Sequence, residues 1–543
     1  MLARSIADHR GRICLILALL LLCAPYAALA LWLLRTGSLH SLAAYLAAVL
    51  IQMVLCAALT RSWRGFLLLQ VPILILCAAI AAYTLSFGIL PGRMVAYVLL
   101  TTNWEEVRGF FTIWQGARLL IVAIAYFSLY LAASWGAPRS APLRAGFTPL
   151  RWIVLACAVA LAAFGALDGA ALIDGLAASP VIGTGFFIAG PVIDVRRVTS
   201  GSGFVRVPYR AQPVAQRELH IFVLGESSRR DSWSVYGYAR PTTPYLSQHR
   251  DELILFTHAM ADANTTVFAV PMLLTGMHPD VFDAAAVHGS IVDLAREAGY
   301  RTAWLMNQDV GISLMVGIKA DRMVYPPSLH STAAGDLPFD GTLLKPLRDE
   351  LARGDRPQFI GLHLIGSHWP YQMRYPPAFA SYAPTAGLSF LSAFTGMTDE
   401  RVVNAYDNSV SYTDWLLGQI IDMARQLEVP ATLTFVSDHG EDIYALDGRA
   451  GHGTATFSRH QYEIPAFIWM NEAFRRAHPD KLAALRQNSD RLVRSHNVFY
   501  ALADLMGIAW PGSRPQESFA SSQYAPDAST PYYIGAALGE AGH

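Results

Sequence analysis

The chain has 543 residues, of which 53% are hydrophobic and only 15% are charged, against about 25% charged in an ordinary soluble domain. Its 41 basic and 41 acidic side chains cancel, and the mean hydropathy is +0.32. This composition excludes a disordered chain, a disulfide-rich mini-protein and a strongly basic protein, so nucleic acid is not an expected partner. It indicates an integral membrane protein.

The apolar residues are concentrated in residues 1–170, which carry only 16 charged side chains. Five stretches in this region have the length needed to cross a bilayer core, about 20 residues of helix. All five cysteines of the chain lie in these stretches, so the rest of the chain can form no disulfide. We therefore predict a transmembrane domain over 1–170 with spans at about 13–34, 41–60, 66–90, 117–135 and 152–170.

The orientation of these spans follows from the arginines. They are concentrated at the N-terminus and in the second and fourth loops, namely Arg4, Arg10, Arg12, Arg61, Arg64, Arg139, Arg144 and Arg151. Because positive residues stay on the cytoplasmic side, we expect a cytoplasmic N-terminus and, after five spans, residues 171–543 outside. Ala28-Leu29-Ala30 also fits a signal-peptide cleavage site, but the apolar run continues through Leu34, which favours an anchor.

The exported part alternates between strand and helix patterns after a connector at 171–218. The predicted strands are His220–Leu224, Thr302–Met306, Gln358–Ile365, Ala431–Val436 and Ile464–Met470. The predicted helices are Ser290–Gly299, Gly341–Arg353, Glu400–Leu427 and most of Asp480–Leu505. This alternation predicts an α/β domain over 219–543 with a mostly parallel central sheet. In such sheets a site forms beyond the carboxyl ends of the strands.

Polar side chains follow the ends of three predicted strands. Glu226 follows the first strand, Asp438 and His439 follow the fourth, and His363 and His368 end the third. Two carboxylates and an imidazole suit a borderline divalent metal such as zinc. Taken singly, Glu226 could be a carboxylate at a helix N-terminus, and the Asp-His pair could be a turn or cap. Their joint placement at strand ends favours a metal site.

A nucleophile could come from Thr265 or Thr266, which precede an apolar run at a predicted helix start. A hydroxyl there could use the helix N-terminus to bind phosphate and a metal for activation, and an N-cap threonine is the structural alternative. His452 lies between two glycines, which is not typical of a core position. With His363 and His368 it could bind a second metal or exchange protons with a substrate. For His363, within a strand, a hydrogen-bonded core histidine is the alternative.

Several blocks of the sequence resemble those of bacterial phosphoethanolamine transferases, the membrane branch of the alkaline phosphatase and sulfatase superfamily. In chain order the blocks are Gly225-Glu-Ser-Ser-Arg229, Tyr236-Gly-Tyr-Ala-Arg-Pro-Thr-Thr-Pro244, Asn264–Pro271, His363-Leu-Ile-Gly-Ser-His368-Trp-Pro, Tyr406-Asp-Asn-Ser, Ser437-Asp-His-Gly-Glu441 and Gly451-His-Gly453. With five N-terminal spans, the resemblance covers nearly the whole chain. It implies a multi-pass protein of the bacterial inner membrane with an alkaline phosphatase-like catalytic domain in the periplasm.

The resemblance also implies a catalytic centre. The family's reactive threonine lies five residues before a proline, and counting back from Pro271 gives Thr266. Thr266 would become phosphorylated. It would hold one catalytic zinc ion together with Glu226, Asp438 and His439.

Further residues would contact the substrates by the same resemblance. His363, His368 and His452 would line the pocket for donor and acceptor, and they could also bind a second zinc ion there. Thr102 and Glu106, in the third loop of the membrane domain, would contact the donor headgroup. The donor would be phosphatidylethanolamine, and the enzyme would act as a monomer among membrane lipids.

The acceptor implied by the resemblance is lipopolysaccharide, at lipid A or a core sugar, or another envelope glycan. Members that modify lipid A flank the nucleophile with a disulfide, whereas this chain has Asp262 and Met272 there. That difference moves the chain towards members that modify core oligosaccharide or other glycans. The transfer would proceed in two steps through phosphorylated Thr266.

Two alternatives stay open. A glycerol-phosphate transferase of the lipoteichoic-acid synthase type has a similar architecture, although the Glu-Ser-Ser-Arg and Tyr-Ala-Arg-Pro-Thr-Thr-Pro blocks favour the phosphoethanolamine enzymes. A catalytically inactive scaffold on the same fold is the second, and the retention of every metal-type residue argues against it. Sulfatase activity is disfavoured, because a sulfatase nucleophile derives from a cysteine and the exported part has none.

Overall fold

The structure is a computed structural model. It describes residues 2–35, 39–60, 62–87, 114–138, 176, 178–181, 184–185, 207–282, 289–308, 318–325, 339–385, 400–443, 451–453, 457–534 and 537–539. The chain divides into two compact units, whose described residues lie between 2 and 185 and between 207 and 539. Thr102, Glu106 and the predicted span at 152–170 lie outside the described residues.

The first unit consists of apolar helices. Those described are α1 (Leu2–Arg35), α2 (Leu39–Ala58), α3 (Trp63–Leu69), α4 (Val71–Phe87) and α5 (Trp114–Gly136). By length and composition α1 and α2 could each cross a membrane, and α3 with α4, bent by 48°, could form a third span. The predicted spans at 13–34 and 41–60 fall in α1 and α2, the one at 66–90 begins within α3, and the one at 117–135 lies in α5. The total of five spans stays a prediction.

The second unit is organised around a mixed, mostly parallel sheet of seven strands. Its strands are β1 (Leu219–Gly225), β2 (Leu253–Leu255), β4 (Arg301–Met306), β5 (Arg322–Val324), β6 (Gln358–His363), β7 (Ala431–Ser437) and β8 (Ala466–Met470), in the order β2-β8-β7-β1-β6-β4-β5. The five strands from β7 to β5 are parallel, and β8 is antiparallel to both its neighbours. Two small sheets pair β3 (His258–Met260) with β9 (Leu492–Arg494), and β10 (Tyr532–Ile534) with β11 (Ala537–Gly539).

Helices cover both faces of the central sheet. They are α6 (Pro244–Gln248), α7 (Thr266–Thr275), α8 (Ile291–Glu297), α9 (Leu344–Leu351), α10 (Glu400–Arg425), α11 (Arg459–Tyr462), α12 (Glu472–Ala477), α13 (Pro479–Asn488) and α14 (Asn497–Leu505). Side chains alternate across β1, so Ile221 and Val223 join the core beneath α10, while Phe222 and Leu224 join the core beneath α7, α8 and α14. All seven residues of β1 are buried, as expected of a strand covered on both faces.

The predicted elements mostly occur, with two corrections. The strand predicted to reach Ile365 ends at His363, because the N–H groups of Ile365 and Gly366 donate to the carboxylate of Asp340 instead of a neighbouring strand. The helical region predicted over Asp480–Leu505 is interrupted by β9, which pairs with β3. The predicted helix at Ser290 begins there, with a capping box between Ser290 and Asp293.

Candidate active site

The ends of two neighbouring strands bring three metal-type side chains together. Gly225 at the end of β1 pairs with Ser437 at the end of β7, so Glu226 and the pair Asp438–His439 leave the sheet side by side. The side chains of Glu226, Asp438 and His439 are all fully buried, and their ligand atoms lie within 4.8 Å of one another. As the strand-end rule predicts, these three residues lie together at one edge of the sheet.

Helix α7 begins at the same edge and adds a hydroxyl. Thr266 Oγ1 lies 3.1 Å from Glu226 Oε1 and 3.2 Å from His439 Nε2. His439 Nδ1 is 2.8 Å from the carbonyl oxygen of Gly440, which can only accept, so the ring proton is on Nδ1. The lone pair of His439 Nε2 therefore points towards Thr266 and the two carboxylates. The arrangement joins a nucleophile candidate to a three-residue ligand set.

Burial and a close carboxylate neighbour make ionisation of this cluster costly, and a bound cation would offset that cost. Burial and the nearby Asp438 raise the pKa of Glu226 well above its usual value, and burial raises the pKa of Asp438 to about 6. Burial and His452 lower the pKa of His439. Asp438 Oδ2 has no hydrogen-bond partner among the described residues. Two buried carboxylates, one carboxylate oxygen without a hydrogen bond and an imidazole lone pair that faces them fit a divalent ion of the zinc type.

A second group of possible ligands adjoins the first. His452 Nδ1 lies 2.9 Å from Glu441 Oε2, and the rings of His439 and His452 have centroids 4.2 Å apart. Together, His439, Glu441 and His452 form another set whose ligand atoms lie within 4.8 Å of one another. Burial opposes protonation of His452, but Glu441 and Asp438 outweigh it and raise its pKa. His452 is therefore a candidate proton donor.

His368 and His363 are placed differently from each other. The ring centroid of His368 is 6.0 Å from that of His452, and its Nδ1 donates to the carbonyl oxygen of Trp369 at 2.7 Å, so Nε2 is free to accept. Burial lowers the pKa of both His368 and His363 to about 3. His363 is fully buried, lies edge-on to Trp304, and has no hydrogen-bond partner for either ring nitrogen in the described part of the chain. Its place in a substrate pocket stays a prediction.

Three further residues, which sequence reasoning did not single out, hold side chains of the site in place. Gln308 Nε2 donates to Glu226 Oε2 at 2.7 Å, Ser227 Oγ donates to Glu226 Oε1 at 2.9 Å, and Glu441 holds His452. Gln308 follows β4 by two residues, so the same strand-end rule would have found it. Glu441 ends the Ser437-Asp-His-Gly-Glu441 block, and nothing in its spacing indicated that His452 is its partner.

The chain resembles known proteins over its second unit. The family model described as Sulfatase matches residues 219–508. The phosphoethanolamine transferase EptC of Escherichia coli strain K12 is 26% identical over 314 residues, which cover 56% of this chain and 53% of the relative. EptA of Salmonella typhimurium is 28% identical over 301 residues, 54% of each chain. The chain thus matches about half the length of these curated relatives.

Solved structures share its fold. The integral membrane protein lipooligosaccharide phosphoethanolamine transferase A from Neisseria meningitidis aligns over 83% of this chain and 86% of its own, with a TM-score of 0.67 and 22% identity. The periplasmic domain of EptC from Escherichia coli, solved in complex with Zn, aligns over 62% of this chain and 96% of its own, with a TM-score of 0.52 and 23% identity. The architecture of both units therefore has a solved counterpart.

Proposed function

The chain belongs to the sulfatase family, and from that premise we propose that it is a phosphoethanolamine transferase of the bacterial inner membrane. The N-terminus would be cytoplasmic and residues 219–543 would form a periplasmic catalytic domain. Its substrates would be phosphatidylethanolamine and a lipopolysaccharide or other envelope glycan. The observation that carries the proposal is the position of Thr266 Oγ1, 3.1 Å from Glu226 Oε1 and 3.2 Å from His439 Nε2.

We further propose that Glu226, Thr266, Asp438 and His439 hold one zinc ion. Their chemistry fits it, since Asp438 Oδ2 is unused among the described residues and the His439 Nε2 lone pair faces the carboxylates. The EptC relative solved with Zn supports this choice of metal. When bound, such an ion lowers the pKa of a coordinated hydroxyl and stabilises phosphoryl oxygens. The second group around His452 leaves room for another ion.

The protein groups suggest how the first transfer proceeds. Thr266 Oγ attacks the phosphorus of phosphatidylethanolamine, and the bond from phosphorus to the diacylglycerol oxygen breaks. The threonine proton leaves towards Glu226 Oε1, 3.1 Å away. His452, whose pKa is raised by Glu441 and Asp438 against the effect of burial, gives the leaving oxygen its proton. The products are diacylglycerol and phosphoethanolamine-threonine.

The second transfer regenerates the threonine. An acceptor hydroxyl or phosphate oxygen attacks the same phosphorus, and the bond to Thr266 Oγ breaks. His452, left neutral by the first transfer, takes the acceptor's proton, and the proton held by Glu226 returns to Thr266 Oγ. Burial lowers the pKa of His368 to about 3, so His368 is neutral, and its free Nε2 can accept a hydrogen bond from the acceptor. His363 and, from the membrane domain, Thr102 and Glu106 complete the proposed substrate contacts. One phosphorus atom thus passes between two lipid-borne substrates at a single site.

The experiment follows the labelled headgroup of phosphatidylethanolamine into envelope glycolipid, using the full chain in detergent. We expect Thr266→Ala to abolish both the transfer and the phosphoethanolamine adduct on the peptide that contains Thr265 and Thr266. Thr275→Ala, at the other end of α7, is the matched control and should retain both. Activity of Thr266→Ala equal to that of the unmodified chain would sink the proposal. Transfer from phosphatidylglycerol alone would support the lipoteichoic-acid synthase type instead.

A further inference from the structure

Ser227 has an unusual backbone conformation directly beside the proposed metal ligands. Its φ is +52°, in the left-handed region, and among the described residues only one other non-glycine, Arg210, has a positive φ. Side chains disfavour this region because Cβ crowds the backbone. Ser227 is also fully buried. A disfavoured conformation that persists in the interior must be held by its surroundings.

All three polar groups of Ser227 are used to hold the site. Its hydroxyl donates to Glu226 Oε1 at 2.9 Å, and its N–H donates to Asp438 Oδ1 at 3.0 Å. Its carbonyl oxygen accepts from the hydroxyl of Tyr406 at 2.7 Å. One residue therefore contacts both carboxylates of the ligand set, and its third bond connects it to helix α10. A change of the Ser227 backbone would therefore alter a hydrogen bond to each carboxylate.

Tyr406, on helix α10, holds this turn through its hydroxyl. Its hydroxyl donates to Ser227 and accepts from the N–H of Arg229 at 2.8 Å, so it bridges two peptide units of the same turn. Tyr406 is fully buried, and burial raises its pKa, so the hydroxyl stays protonated and can donate. Its ring lies edge-on to Tyr371, with centroids 5.0 Å apart. The ring and the hydroxyl therefore have separable roles.

The next residue of α10 fixes the helix at this point. Asp407 accepts from Arg240 Nη1 at 2.9 Å and from the Tyr238 hydroxyl at 3.1 Å, and Arg240 also donates to Asn404 Oδ1 at 2.9 Å. Arg240 and Tyr238 belong to the Tyr-Gly-Tyr-Ala-Arg-Pro-Thr-Thr-Pro block, which has no other place in the proposed reaction. The block thus anchors the part of α10 that carries Tyr406.

We propose that Tyr406 is a positioning residue, which acts through Ser227 to set the orientation of Glu226 and Asp438 for metal binding. The inference rests on the proposed function only in taking zinc as the ion. Tyr406 touches neither carboxylate itself; its hydroxyl secures the backbone conformation in which Ser227 can reach both. Groups that orient metal ligands typically change metal affinity by about 10- to 100-fold when removed.

The test measures the zinc affinity of the full chain in detergent by competition with a chelator. Tyr406→Phe keeps the ring and removes only the hydroxyl, and we expect its zinc dissociation constant to rise about 10-fold or more. Tyr300→Phe is the matched control, because the Tyr300 hydroxyl is also buried and also donates to a carbonyl, that of Met506, at 2.7 Å. Its zinc affinity should equal that of the unmodified chain.

A second variant keeps the inference testable if Tyr406→Phe fails to fold. Ser227→Ala removes the bond to Glu226 without touching the core, and it should weaken zinc binding in the same way. Unchanged affinity in the folded variants, or no zinc binding by the unmodified chain, would overturn the inference. Zinc binding that depends on Tyr406 in a chain that transfers no headgroup would instead overturn the proposed function and leave the positioning role intact.

Discussion

A buried ionic cluster holds the segment that leads into Thr266, and removing its carboxylate should destabilise the protein strongly. Asp262, four residues before Thr266, is fully buried. Its Oδ1 accepts from Arg494 at 2.8–2.9 Å, and its Oδ2 accepts from the hydroxyl of Ser495 at 2.7 Å and from both the N–H and Nδ1 of His496 at 2.6 and 2.9 Å.

The expected loss of stability follows from the two cations that face Asp262, Arg494 and His496. Burial opposes ionisation of Asp262, but His496 and Arg494 outweigh it and lower its pKa. Burial also opposes protonation of His496, but Asp262 raises the pKa of His496 from 6.5 to about 9, a shift that corresponds to about 3 kcal/mol. Asp262→Asn keeps the shape but removes the buried negative charge that faces both cations. Arg494 then keeps the carbonyl oxygens of Thr530 and Pro531, and His496 keeps Glu517 at 3.6 Å. We expect the free energy of unfolding to fall by about 3–5 kcal/mol.

Pulse proteolysis of the full chain in detergent, across a urea series, measures this loss. Asp355→Asn is the matched control, because Asp355 also receives two bonds from an arginine, Arg301, but is exposed; its substitution should change the unfolding free energy little. A loss from Asp262→Asn no larger than that of the control would refute the reasoning.

The pH dependence of the free energy of unfolding tests the same ion pair independently. His496 has a higher pKa folded than unfolded, so its contribution is fully present below about pH 6.5 and is lost as the pH rises through about 9. The unmodified chain should therefore lose about 3 kcal/mol between pH 6.5 and 9 from this group. In Asp262→Asn the larger of the two carboxylate effects that raise the pKa of His496 is gone and only that of Glu517 stays, so this part of the pH dependence should become smaller. An equal slope in both proteins would contradict the assignment to His496.

Two other sites give predictions of different kinds. Burial lowers the pKa of His363 from 6.5 to about 3, so between these pH values the unfolded chain binds a proton that the folded chain does not. The free energy of unfolding should therefore fall by up to about 5 kcal/mol as the pH falls from 6.5 to 3. His363→Leu should remove that loss in acid unfolding, and an unchanged acid profile would contradict the assignment. Gly453 and Gly507 both have a positive φ, but only at Gly453 would a Cβ meet another residue, Thr265 Cγ2 at 2.8 Å. Gly453→Ala should therefore reduce headgroup transfer, whereas Gly507→Ala should only destabilise the protein by the backbone strain of about 1–2 kcal/mol. Equal transfer by the two variants would contradict a role for the contact between Gly453 and Thr265.

The central strands could be predicted because each is a continuous apolar run of the length of a strand. The predicted strand Ala431–Val436 differs from β7 by one residue, and its neighbours in the sheet follow the same pattern. The three-residue strands β2, β3 and β5 were missed, since three residues carry no periodicity. β9 was missed for the same reason, and its pairing with β3 depends on residues more than 200 positions apart.

The site could be predicted as far as topology alone determines it. Glu226 and Asp438 meet because β1 and β7 are adjacent and parallel, and a strand-end rule needs only that. The rule does not say which way a side chain points within a strand. His363 is the last residue of β6, and the alternation along that strand turns it towards Trp304, which places it among buried rings. His368, in the turn that follows, reaches His452 instead.

The choice between a cap and a nucleophile at the start of α7 shows what the sequence could not decide. Both readings apply, but to neighbouring residues: Thr265 has the extended backbone of an N-cap, and Thr266 is the first residue of the helix. Thr265 makes no side-chain cap bond, and its hydroxyl has no partner among the described residues. A side-chain capping bond would add about 1 kcal/mol to the stability of the helix, and Thr265 does not form one. The helix therefore begins without a side-chain cap, at the point where Thr266 faces Glu226 and His439 and where a phosphate would bind.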